Sequence, residues 1–272
     1  MSHFYEILKS SELNIEEELL KIKMMFEKEY IEPHFCKTSL FEFINYYGFR
    51  NLPLSCNYIE IDALFTDIMK SAKNVTESFI FYCELLLSIA YQFPIPDNPY
   101  YETKLEEIIK VIGYDLEKLN LVRKLINDDN YGPLYIIIPN DIILESALTI
   151  VDDSNIQNYL IEYKSSHNDG NKQRKTELLK LISNYIEGIT KNKDYKEKYK
   201  SFFSDIDFLY NNLGLRHNQK VKNKLFLDSV SDSLEEWLDR LYRESLLAIS
   251  LTIEFEDSKA ISKLKNIKVT DN

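Results

Sequence analysis

The chain has 272 residues, with 33 Lys and Arg against 44 Asp and Glu, for a net charge of −11. That balance argues against a surface coated in basic residues for nucleic acid, and no run of about 18 uncharged apolar residues suggests a membrane span. No basic stretch followed by an apolar core opens the chain, so no leader is expected and the protein reads as cytoplasmic. Cys36, Cys56 and Cys83 are odd in number and far apart, and the four His residues are scattered. That pattern predicts reduced thiols, no metal centre and no cofactor.

Only 6 Gly and 7 Pro punctuate the chain, which suits long helices better than a many-stranded sandwich. Ile15, Leu19, Ile22, Phe26 and Tyr30 form one helical stripe, and Ile61, Leu64, Phe65 and Ile68 form a second. Asn74 followed by Glu77 resembles a capping box ahead of Phe79, Phe81, Tyr82, Leu85, Leu86 and Ile89. Asn98 and Pro99 start another helix through Leu105, Ile108, Ile109 and Ile112, with Gly113 as its stop. Asp115 then caps a short helix reaching Leu125. The turn-rich residues 127–133 mark the boundary between a segment 1–130 and a segment 131–272. The apolar run 134–138 fits either a buried strand or a helical turn.

Beyond it, Asp153 or Ser154 caps a short helix carrying Ile156, Tyr159, Leu160 and Tyr163. Residues 165–171 form a polar loop. A long helix follows with Leu178, Ile182, Tyr185 and Ile189 on one face. The next carries Phe202, Ile206, Leu209 and Leu213 and stops at Gly214. The last spans about residues 231–255 and buries Leu234, Leu238, Leu241 and Ile249. The expected fold is all-α, a helical bundle in the second half preceded by a helical first half.

The charge is uneven. Residues 164–224 hold fourteen basic and seven acidic residues, a local +7 that leaves −18 for the remainder. Such a window attracts phosphate when its lysines face solvent. The plainer alternative is that they line solvated helix faces or pair with the acidic remainder.

Inside the window, Arg216, His217 and Asn218 follow the expected helix stop. These residue types suit metal-free RNA cleavage. The Arg clamps a phosphate, the His moves a proton to or from a ribose oxygen, and the Asn orients either group. Consecutive side chains on a helix diverge by about 100°, so convergence requires a turn after Gly214 or a second copy of the chain. The structural alternative is helix-end chemistry, because cations near a helix C-terminus complement its dipole.

The second half resembles the HEPN-like helical proteins of bacterial abortive infection. The resemblance covers about residues 134–255. It is carried by Tyr159-Leu160, by Lys175 through Leu181, by Phe208-Leu209-Tyr210-Asn211-Asn212 before Leu215-Arg216-His217-Asn218, and by the Leu234-to-Tyr242 stretch with Trp237. It implies a helical bundle, often dimeric, with an Arg/His site between the penultimate and last helices. Arg216 matches the motif Arg and Asn218 its polar neighbour. The family's His lies four to six positions after the Arg, whereas His217 is adjacent to it.

Two expectations follow. In one, the chain is an anti-phage or toxin-like RNA-binding protein and a metal-independent endoribonuclease. Arg216, His217 and Asn218 are then its catalytic residues, and Asn212, Lys220, Lys222, Lys224, Arg174 and Lys175 contact RNA. In the other, it is a non-enzymatic sensor or interaction module in which the tripeptide is structural. Glu235 and Asp239, four apart on the last helix, are candidates to orient Arg216 or His217 in the first case. RNA, a second copy, and a protein or phage-derived trigger are the candidate partners, with no membrane. The first half is then a sensor or restraint.

Overall fold

The computed structural model describes residues 13–30, 38–55, 58, 60–93, 99–216 and 224–270. Among the described residues the fold is all-α apart from one β-hairpin and a two-residue strand pairing. It divides into two units, Met1–Asn140 and Asp141–Asn272.

The first unit begins with α1 (Ile15–Glu27), capped by the Asn14 side chain and carrying Glu16, Glu17 and Glu18 in its positive first turn. Its buried residues Leu19, Ile22 and Phe26 are those of the sequence stripe. Strands β1 (Glu29–Tyr30) and β2 (Thr38–Ser39) pair antiparallel and lead into α2 (Leu40–Tyr47). Ser39 and Glu42 form a capping box at that helix. α3 (Ile61–Ser71) buries Ile61, Leu64 and Phe65.

The core is built around α4 (Val75–Gln92), apolar on nearly every side and therefore interior. Asn74 caps it as the sequence suggests, accepting from Glu77 N at 2.9 Å. Cys83 is buried in it as a free thiol, while Cys36 and Cys56 lie outside the described residues. Its polar positions recur every four residues and meet one strand. Glu84 Oε1 accepts from Ile137 N at 2.7 Å, and Ser88 Oγ accepts from Tyr135 N at 2.9 Å. Gln92 Nε2 donates to the carbonyls of Tyr131 and Pro133. Four helical residues rise about 6 Å and two strand residues about 6.8 Å, so the two periods nearly match.

That strand belongs to the hairpin of β3 (Leu121–Asp128) and β4 (Gly132–Pro139), which pair antiparallel from Leu121↔Pro139 to Asp128↔Gly132. Here the structure departs from the sequence expectation three times. First, α5 (Pro99–Lys118) runs through Gly113, which costs about 1 kcal/mol of helix propensity, because Ile112 and Leu116 continue its buried face. The turn after its end at Lys118 includes Asn120, which takes the left-handed conformation at φ 52°. Asn98, the expected cap, lies outside the described residues. Second, Leu121–Asp128 is a strand rather than a helix started by Asp115, which is buried inside α5. Third, the turn-rich residues close the hairpin. Asp128 Oδ1 accepts from the amides of Asn130 and Tyr131, and Gly132 adopts φ 70° where a Cβ would sit 2.9 Å from Pro53. The division between units therefore falls at Asn140/Asp141 rather than 130/131.

The second unit contains α6 (Ile142–Ile150), α7 (Ser154–Tyr163), α8 (Lys172–Lys191), α9 (Lys193–Lys198), α10 (Lys200–Asn212), α11 (Lys224–Val230) and α12 (Leu234–Thr270). Asp141, Asp153, Asn171 and Asn192 cap α6, α7, α8 and α9 through their side chains. α12 packs against α6, α8 and α10 and buries Leu238, Leu241, Tyr242, Leu246, Ala248 and Ile249. It extends fifteen residues beyond the expected end at Phe255, from 255 to Thr270. Among the described residues, no helix is long and apolar enough to cross a membrane.

Candidate functional site

The penultimate long helix ends as its glycine dictates. Leu215 N donates to Tyr210 O at 3.0 Å across Gly214 at φ 69°, which closes a Schellman turn and buries Leu215. Arg216 follows directly and turns inward. Its side chain is only 8% exposed, with Asp207 of α10 bonded to Nη2 and Glu187 of α8 3.8 Å from Nε. Thr190 Oγ1 donates to the same Asp207 oxygen at 2.8 Å, and Glu187 also pairs with Lys191. The guanidinium lies 5.7 Å from the Tyr210 ring, whose hydroxyl meets Ser245 of α12 at 3.0 Å. Burial pushes the Tyr210 phenol above its ordinary pKa.

A second cluster sits where the start of α8 meets the start of α12. Lys175 is 5% exposed, and its Nζ donates to Glu235 Oε1 and Asp239 Oδ1, each at 2.8 Å. Burial works against its charge, but the two carboxylates outweigh that and hold its pKa above the ordinary lysine value. Gly170 N also donates to Glu235, at 2.9 Å. Burial alone would raise the Glu235 pKa; Lys175 and the Gly170 amide reverse that and hold it below the usual glutamate value. The Tyr163 hydroxyl donates to Asp239 at 3.0 Å, and its ring stacks on Tyr242 at 4.1 Å. Lys175 and Lys164 lie 5.6 Å from the Tyr163 and Tyr242 rings, and Lys164 pairs with Asp141 at 2.9 Å.

Among the described residues, the sequence candidates do not converge. Positions 175 and 187 on α8 are about 18 Å apart along the axis, so the Lys175 and Arg216 clusters occupy opposite parts of that helix. Arg174 holds Glu162 through Nε and Nη2 at 2.7 and 3.0 Å, and Glu177 through Nη1 at 3.3 Å. Asn212 returns its amide to Phe208 O at 2.8 Å. Lys224 opens α11, but its side chain lies outside the described residues, as do His217, Asn218, Lys220 and Lys222. Glu235 and Asp239 share a face as expected, yet they hold Lys175 rather than Arg216. The residues that sequence reasoning missed are Asp207, Glu187 and Tyr163. Glu187 and Lys191, four apart on α8, are the one local signal of such a cluster.

The wider basic window is answered in this way only in part. Lys164, Arg174, Lys175, Lys191, Lys198 and Arg216 all stand within 4 Å of a carboxylate. Lys172, Lys180, Lys193, Lys196 and Lys200 are exposed. Among the described residues, no group of three His, Cys, Asp or Glu side chains could hold a metal ion. No protein-family model matches this chain, and neither a curated protein nor a solved structure does.

Proposed function

We propose that the chain is a helical sensor or interaction protein of the bacterial-defence kind its second unit resembles, in which Arg216 ties helices together rather than cleaving RNA. One observation supports this reading above the others. The buried Arg216 guanidinium is held by Asp207, with Glu187 beside it. A phosphate reaching it meets two carboxylates and must displace them, which opposes binding.

The test incubates the full chain with total tRNA in EDTA, beside Arg216→Ala and His217→Ala, with cleavage and binding measured separately. The expected result is no cleavage by any of the three. RNA cleavage that is lost in a folded His217→Ala variant overturns the proposal.

That outcome selects a second reading, a metal-independent endoribonuclease. A specific detail favours it: the Arg216 Nε has no hydrogen-bond acceptor, which leaves one donor for a ligand. In this reading Arg216 binds phosphate, His217 moves the proton and Asn218 orients them.

A further inference from the structure

The last helix runs past the bundle it closes. α12 has 37 residues and is therefore about 55 Å long. Its continuation rests on α9 by one side. Phe255 meets Tyr195 edge-on at 4.9 Å, Lys198 reaches Glu254 and Ser258, and Lys259 lies 3.8 Å from Asp194. The opposite side carries Ile253, Asp257, Ala260 and Leu264, all exposed, at steps of four, three and four. Leu264 is 63% exposed, Ile253 47%, and the neighbouring Ile261 52%. Side chains at this spacing form the seam of a two-helix coiled coil when a partner covers them.

The charges along this face say which partner fits. Glu256 and Asp257 come first and Lys263 follows, whereas Glu254 and Lys259 turn toward α9. A parallel helix of the same sequence sets like charges together. An antiparallel one sets each acidic half on the other's basic half.

We propose that the outward face of residues 253–264 docks antiparallel on the same face of a second copy of this chain. Ile253 of one copy then lies over Leu264 of the other, Asp257 beside Ala260, and Glu256 beside Lys263. Two-fold symmetry repeats every contact. Asp257 in the seam costs stability and fixes the register, as single polar seam residues do. The overlap is short against the roughly 800 Å² per partner of a stable interface, so the dimer is reversible.

Sedimentation velocity on the full chain, from low to high micromolar at low salt, tests this. The expected result is a concentration-dependent dimer that Leu264→Asp abolishes. Glu256→Lys or Lys263→Glu alone weakens it about tenfold, and the double exchange restores it to within about threefold. The substituted positions are exposed, and the fluorescence of Trp237 verifies that each variant is folded. A monomer at every concentration, as expected if another protein's helix is the occupant, overturns the proposal. So does a dimer indifferent to Leu264→Asp. A double exchange that fails to restore pairing overturns the antiparallel register.

Discussion

Glu84 on α4 and Lys175 on α8 are both charged and nearly fully buried, at 6% and 5% exposure, yet their surroundings satisfy them differently. Glu84 accepts a backbone amide of a strand. Lys175 donates to two carboxylates on another helix. In the first unit a buried carboxylate satisfies the main chain, where shape and acceptor capacity matter most. In the second unit a buried cation joins helices through charge, with partners that water still reaches. The units should therefore fail by different routes. Trp237, the only tryptophan, lies in the second unit, so its fluorescence follows that unit while circular dichroism follows both.

The largest effect is expected from Glu84→Leu, which leaves the buried Ile137 amide without its acceptor and costs about 3 kcal/mol. Glu84→Gln keeps an acceptor and should cost about 1 kcal/mol or less. Urea unfolding by circular dichroism checks both, with the Trp237 transition moving less. Equal losses for Leu and Gln would mean that charge, not the acceptor, matters there.

Lys175→Met should come next, at about 2 kcal/mol in the Trp237 transition. That is below the figure for a fully buried pair, because the Glu235 and Asp239 side chains are 30% and 50% exposed. No loss in that transition would make the cluster an ornament rather than a tie.

A smaller effect sharpens the comparison from a third direction. Asp115 in α5 is buried, and its two carboxylate oxygens accept no hydrogen bond. Burial, then Glu18, push its pKa from 3.8 up to about 6, against the opposing pull of Lys21. The folded state therefore binds this proton more tightly than the unfolded state. Its contribution to stability is full below about pH 4, falls as pH rises, and levels off above about pH 6. Urea unfolding across that range should show the wild type losing stability relative to Asp115→Asn as pH rises.

The elements legible in the sequence are those whose signals are local. Asn74, Asp153 and Gly214 mark helix ends because a cap or a left-handed glycine acts within a few residues of itself. The β-hairpin was less legible. Leu121–Asp128 buries residues at an irregular spacing, and what makes it a strand is its pairing with β4, which α4 holds from about fifty residues away. Arg216 was legible as the notable residue at the end of α10. Its commitment to Asp207 and Glu187 was not, because that depends on how α8 and α10 pack. The same holds for Lys175, whose acidic partners lie 60 and 64 residues along the chain.

The polar stripe of α4 has a consequence for solubility. A two-stranded ribbon is barely stable alone, and each edge offers a row of amides and carbonyls to any passing chain. Along β4, Glu84, Ser88 and Gln92 occupy that row, so the helix stands where a third strand would otherwise add. The hairpin can remain in a helical protein without becoming the seed of an intermolecular sheet on that side.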